Sequence, residues 1–229
     1  MQAEQLFPYA TAAFLYLSAV IAYMIYRRTG FEASLILFLG ILAVATQSVM
    51  DGYISGRLIG WGGWDNVPSA ELRFLLFLDG VRGVLIMAWA AAEVLFVLEL
   101  ANRRGTVEYF VAPLSILVGG ILWTFMTNFS GIEPVSTRIL LSSAGRVLGI
   151  LVPVALLVGA YILVKMWRVT RDPASLSMGV GFIIHGVTLP LYTVAKETGT
   201  LTLGLWYAFG GVIPSALLVL GLYLLTRQA

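Results

Sequence analysis

Three ionisable residues, Asp79, Arg82 and Glu93, interrupt the otherwise apolar stretch 77–96, which lies within a longer apolar segment over residues 73–101. On a helix, these three side chains fall on one face, within an arc of about 80° that also includes Trp89. An ionised group that faces lipid near the centre of a bilayer costs about 3 kcal/mol or more. We therefore expect this face to point into the protein or into a wet cavity, where charged groups can bind an ion or a polar solute, or pass protons.

Each of these groups also has a structural interpretation. Asp79 and Arg82 are one helical turn apart and can form a local ion pair that locks helix packing. Glu93 has no basic residue within a turn in the sequence. If it is buried without a cation, its carboxyl group is most easily accommodated in the neutral form, which can pass a proton onward. Alternatively, the Glu93 side chain reaches toward the membrane interface.

A second arginine is predicted at nearly the same depth as Arg82. Arg146 lies in the outer third of the apolar segment 139–167. Arg82 and Arg146 carry two positive charges, and Asp79 supplies one negative charge near them. The positive charge that remains favours an anionic or polar ligand. Asp51 or Glu197 can equally neutralise that charge.

The sequence contains a single histidine, His185, near the middle of the apolar segment 174–196. Its imidazole either makes a hydrogen bond between helices or carries protons, since the ring can both accept and donate. Further polar groups on the second and sixth segments can face the same space. The predicted ligand or ion pathway consists of Asp79, Arg82, Glu93, Arg146, His185, Gln47 and Tyr192. No catalytic or metal-binding set is predicted.

Three prolines, Pro153, Pro190 and Pro214, fall near the middles of the last three apolar segments. Each removes one backbone hydrogen bond and can kink its helix. Such kinks can act as hinges for movement, although prolines are also common in static membrane helices. We predict these three residues as candidate hinges.

The amino-acid composition indicates that the chain is surrounded by lipid and not by water. Of the 229 residues, 59% are hydrophobic and 11% are charged, whereas soluble domains have about 25% charged residues. The absence of cysteine and the single histidine exclude thiolate metal sites, disulfides and bis-histidine haem ligation within the chain. The net charge of +2 gives no reason to expect a nucleic-acid partner. We expect an integral, multi-pass protein of the cell or cytoplasmic membrane that is not an enzyme and carries no cofactor.

The predicted fold is an all-α integral membrane protein, a single seven-helix transmembrane domain over residues 1–229. Eight lysine and arginine residues fall on one set of connections and four on the other. The positive-inside rule then places the N-terminus outside and the C-terminus in the cytoplasm. The predicted spans are 8–26, 33–53, 73–101, 108–129, 139–167, 174–196 and 202–226.

An internal repeat is visible around two connections. The stretches YRRTGFEASL (26–35) and WRVTRDPASL (167–176) are identical at five of ten positions, at an offset of 141, and the same offset pairs Gly40 with Gly181. We predict a 3+1+3 parallel repeat, because a single linker helix leaves two three-helix units in the same orientation. The units and the linker comprise residues 8–101, 139–226 and 108–129.

The predicted layout resembles the architecture of two families, the microbial rhodopsins and the SWEET sugar transporters. The seventh segment contains no lysine for a retinal Schiff base, and the chain has no Pro-Gln dipeptide of the kind found in SWEET relatives. The resemblance is one of architecture and implies no site residues.

Three functions fit these features. The first, which we favour, is a transporter or channel for protons or a small polar or anionic solute, with a polar interior lined by the third, fifth and sixth helices. The second is a haem-free membrane subunit of a redox or energy-conserving complex, providing proton or quinone access. The third is a rhodopsin-like seven-helix sensor that lacks the retinal lysine. The expected partners are the lipid bilayer, a small solute or proton, and further membrane subunits or a second copy of the chain.

Overall fold

The computed structural model describes residues 3–146, 151–198 and 208–228. All regular structure in these ranges is helical, as expected for a chain that must satisfy its own backbone N–H and C=O groups in a bilayer. The α-helices in these ranges are α1 (Ala3–Thr29), α2 (Glu32–Trp61), α3 (Ser69–Leu100), α4 (Val107–Asn128), α5 (Val135–Arg146), α6 (Leu151–Thr170), α7 (Pro173–Thr198) and α8 (Ile213–Gln228). A 3-10 turn at Trp64–Asn66 follows α2, and a π-helical turn at Ala208–Val212 leads into α8.

Six of these helices are long and apolar enough to cross a membrane: α1, α2, α3, α4, α6, and α8 with part of its π-helical turn. The apolar stretch Pro173–Leu189 of α7 is shorter. The predicted span 139–167 is divided between α5 and α6, and residues 147–150 between them lie outside the described residues. The chain therefore has the character of a multi-pass helical membrane protein, with six candidate spanning helices in the described ranges.

Six helices form a closed ring. α1 packs against α2, α2 against α3, α3 against α6, α6 against α7 and α7 against α8, which returns to α1. The main hydrophobic core draws buried residues from all six helices, among them Leu15, Phe96, Phe182 and Leu222. α4 and α5 lie outside this six-helix ring, where α4 contacts α3 and α5. Most apolar side chains of α4 are consequently exposed on the outer surface.

The bundle has two chemically different ends. The C-terminal turns of α1 and α6 and the connection after α3 carry arginines, and we call this the basic end. There Arg104 forms ion pairs with Glu99, at 2.7 Å, and with Glu32 at the start of α2. The other end, with its tryptophans after α2, is called the tryptophan end. There Asp65 Oδ1 accepts a 2.9 Å hydrogen bond from the backbone N–H of Ser136 in α5, which holds the pKa of the Asp65 carboxyl below its usual value.

The turns after α1 and α6 have the same hydrogen-bond pattern. In each turn a threonine, Thr29 or Thr170, ends the helix. Its hydroxyl donates to the carbonyl four residues earlier and accepts from the N–H two residues later, over distances of 2.8–3.2 Å. The next residue has a positive φ in both turns, 68° for Gly30 and 57° for Arg171. The two turns therefore share the threonine hydrogen bonds and the positive φ at the offset of 141 found in the sequence.

The three predicted hinge prolines lie in α6, α7 and α8. Pro153 is in α6, close to residues 147–150, which lie outside the described residues. Pro214 is the second residue of α8, just after the π-helical turn, and such a widened turn accommodates the proline ring and the lost N–H. Pro190 lies inside α7 as predicted, and its side chain is outside the described residues.

Two adjacent glycines of α4 provide a test of how α4 packs on the ring. A Cβ atom at Gly120 would lie 2.2 Å from Sδ of the buried Met87 of α3, whereas a Cβ atom at Gly119 would meet nothing within 4 Å. We expect Gly120→Val to lower the free energy of unfolding by about 1–3 kcal/mol, because overpacking forces buried side chains out of their preferred rotamers. Gly119→Val, the matched control, should keep the wild-type thermal unfolding midpoint in detergent. Equal midpoints for the two variants would contradict this contact.

Candidate functional site

An ion-pair cluster joins α2 to α3. Arg82 of α3 presents its two amino nitrogens to two carboxylates: Nη1 lies 2.5 Å from Asp51 Oδ1 of α2, and Nη2 pairs with Asp79 Oδ1 on its own helix. Gln47, one turn before Asp51, donates a hydrogen bond to Asp51 Oδ2. Asp79 is completely buried, and the Arg82 and Asp51 side chains are 11% and 10% exposed. The buried guanidinium and carboxylates thus form ion pairs and hydrogen bonds with each other, which lipid chains could not provide.

The same cluster attaches α4 to the ring. Asn128, the last residue of α4, donates from Nδ2 to Asp79 Oδ2 at 2.8 Å and to the Leu76 carbonyl oxygen at 3.2 Å. Because Asn128 is completely buried, these hydrogen bonds fix the end of α4 against α3. Residues Gln47, Asp51, Asp79, Arg82 and Asn128 are called the Arg82 cluster.

A second polar group lies between α3 and α7. Glu93 Oε1 is 2.8 Å from His185 Nδ1, and the two residues are 3% and 1% exposed. The His185 ring stacks on the Trp89 indole, with centroids 4.2 Å apart and an interplanar angle of 25°. Despite the short Nδ1–Oε1 distance, neither ring nitrogen nor Glu93 Oε2 has a hydrogen bond of acceptable geometry within the described residues. We call these two residues the Glu93–His185 pair.

The pair thus places a carboxyl group and an imidazole, two side chains that can each accept or release a proton, in contact inside the bundle.

The structure brings five of the seven predicted pathway residues into these two groups. The other two, Arg146 and Tyr192, belong to α5 and α7, but their side chains lie outside the described residues. The predicted ion pair between Asp79 and Arg82 is present. Asp51, which the sequence suggested as a neutralising partner, supplies a second carboxylate.

Sequence reasoning missed Asn128 and did not predict the partner of Trp89. Asn128 is a lone asparagine at the end of an apolar segment, and its hydrogen bonds cross to another helix. Trp89 was placed on the inward face, but its stacking on His185 depends on how α7 packs against that face. The available signals were the position of Asn128 at the end of an apolar span and the position of Trp89 on the charged face of α3.

The described residues contain no group of three or more His, Asp or Glu side chains that could hold a metal ion. Comparison of the chain with models of protein families, with curated proteins and with solved structures finds no match. The chemistry of the Arg82 cluster and of the Glu93–His185 pair is therefore the basis for assigning a function.

Removal of the guanidinium from the Arg82 cluster should be costly. In Arg82→Met, Asp51 and Asp79 lose their shared cation while they stay buried, and we expect the free energy of unfolding to fall by about 3–5 kcal/mol. The matched control is Arg103→Met at the basic end, which removes a half-exposed ion pair with Glu108 and should change little. Thermal unfolding in detergent measures both variants. An Arg82→Met protein as stable as the control would contradict the anchoring role of the cluster.

Proposed function

We propose that the chain is a membrane transport protein that moves protons, with Glu93 and His185 as the groups that carry them. The observation that supports this most directly is the 2.8 Å contact of a carboxyl group and an imidazole that are almost without exposure. Ionisable groups are expensive inside a membrane and typically mark ion or proton pathways there.

A proton is a better candidate for the transported species than an anionic solute. Arg82 was the group expected to bind an anion, and its guanidinium has carboxylates at both amino nitrogens. An anionic solute would have to displace one of these two buried carboxylates from Arg82. A proton requires only small movements of side chains and water, which a closely packed ring can provide.

The proposed route follows α3. Arg82 lies toward the tryptophan end and Glu93 toward the basic end, separated by about 16 Å along the helix. In this arrangement the Arg82 cluster holds α2, α3 and α4 together at one depth. The Glu93–His185 pair lies at another depth, where α3 meets α7, and there it exchanges protons.

We also propose that the chain crosses the membrane seven times as a 3+1+3 parallel repeat, in which α5 and α6 share one crossing and α4 is the linker. The matching turns at Thr29 and Thr170 support this duplication. Gly40 and Gly181 support it as well, since each lies at the contact between the second and third helices of its unit. A Cβ atom added at Gly40 would lie 3.0 Å from Cβ of Ala92 in α3. A Cβ atom added at Gly181 would lie 3.1 Å from the carbonyl oxygen of Pro214 in α8.

Proton flux into liposomes tests the proposed function. The purified protein should collapse an imposed pH gradient, followed with a pH-sensitive dye trapped inside the vesicles. Glu93→Gln preserves the shape of the side chain but removes its titratable group, and we expect flux to fall about 100-fold or more, the usual contribution of a positioned proton-transfer group. His185→Phe keeps a ring against Trp89 without its nitrogens and should cause a similar loss.

Glu108→Gln is the matched control for this assay, because the Glu108 side chain is 58% exposed at the start of α4. This variant should keep wild-type flux. Wild-type flux through folded Glu93→Gln would remove Glu93 from the route. Flux that requires co-purifying subunits, together with absorbance from their cofactor, would instead support the function of a membrane subunit.

Cysteine labelling tests the proposed orientation, in which the tryptophan end is outside and the basic end is cytoplasmic. The chain contains no cysteine, so each introduced cysteine is the single labelling site. We expect Asn66→Cys to react with a membrane-impermeant maleimide in intact cells, and Arg28→Cys to react only after permeabilisation. The reverse pattern would contradict the orientation. Labelling of both variants from outside would contradict the crossing by α2.

A further inference from the structure

A groove on the outer surface of the ring lies between α6 and α7. Its volume is about 460 Å³, which is within the range of about 300–1,000 Å³ for small-molecule pockets. The walls are mainly apolar and include Leu157 and Val164 of α6 and Ile183 of α7. Tyr161, which also lines the groove, is 68% exposed. The groove shares no residue with the Arg82 cluster or the Glu93–His185 pair, and the inference drawn from it rests on the proposed orientation but not on proton transport.

Two basic residues line the part of this groove that is nearest the basic end. Lys165 and Arg168 are three residues apart on the same face of α6, and both are exposed. In the part of the chain that the structure describes, neither forms an ion pair with an acidic side chain, in contrast to the two arginines of the α3–α4 connection. The groove therefore combines an apolar channel with two cations at one end.

We propose that this groove binds a phospholipid with an anionic headgroup, one acyl chain lying along the apolar walls and the phosphate held by Lys165 and Arg168. The arginine guanidinium offers several N–H donors that fit phosphate oxygens, and the lysine adds a point charge. Tyr161 has the amphipathic character typical of residues at a membrane interface. In the proposed orientation the groove opens toward the cytoplasmic leaflet, whose surface is negatively charged.

The combination of groove and charge distinguishes this lipid from other occupants. A free phosphate ion would satisfy Lys165 and Arg168 but would leave the apolar walls uncovered. A zwitterionic phospholipid would cover the walls but would bring its own cation close to the two basic side chains. An anionic phospholipid covers the walls and complements the charge.

Native mass spectrometry of the full chain from detergent tests this proposal, with phosphatidylglycerol and phosphatidylcholine of identical acyl chains as probes. We expect wild type to bind one phosphatidylglycerol molecule in preference to phosphatidylcholine. The double variant Lys165→Gln with Arg168→Gln should bind phosphatidylglycerol roughly 30-fold more weakly, from the usual contribution of two basic residues near anionic lipid. Ile183→Trp, which fills the groove and keeps both cations, should weaken binding of phosphatidylglycerol as well.

The matched control is the double variant Arg27→Gln with Arg28→Gln, which removes the same charge from exposed positions of α1 at the same end of the bundle. It should keep wild-type binding of phosphatidylglycerol. Equal binding of the two lipids by wild type, or an equal loss in both double variants, would overturn the proposal. Displacement of phosphatidylglycerol by excess inorganic phosphate, or full binding by Ile183→Trp, would show an anion site that does not use the groove.

Discussion

Ionised groups cannot be left in hydrocarbon without a large cost in free energy, and this constraint explains how the bundle is arranged around α3. Its charged face is turned away from lipid along its length. Toward the tryptophan end, Arg82 finds its carboxylates on α2 and on α3 itself. Toward the basic end, Glu93 meets the histidine of α7. The helix α3 thus makes polar contacts with α2 through Arg82 and with α7 through Glu93.

The two polar groups satisfy this constraint in different ways. In the Arg82 cluster, charged and amide groups are joined by ion pairs and hydrogen bonds over short distances, which favours a fixed arrangement. In the Glu93–His185 pair, the two side chains are in contact, yet polar atoms among them have no hydrogen bond within the described residues. In the function proposed above, the pair is the group that changes its protonation, and the Arg82 cluster holds α2, α3 and α4 in place around it.

The helical class and the direction of the charged face could be predicted from the sequence, because composition determines the solvent and helix geometry determines which side chains share a face. Arg82 and Glu93 were placed correctly on the buried face for that reason. Their partners could not be identified with certainty, because Asp51, Asn128 and His185 come from other helices whose pairing depends on the packing of the whole bundle. The closure of six helices into a ring could not be predicted either, because apolar helix faces resemble one another in sequence and do not specify which helices pack together.

The position of α4 outside the ring bears on how such a protein could have arisen. A three-helix unit delivers its chain to the membrane face opposite to the one where it began. A second unit with the same orientation can start only after the chain has been carried back, and in the proposed duplication α4 is that return passage. It needs a lipid-compatible surface and firm attachment at its ends, such as the hydrogen bonds of Asn128 to α3. In the proposed duplication the ring itself consists only of the six other helices, and α4 serves to return the chain across the membrane.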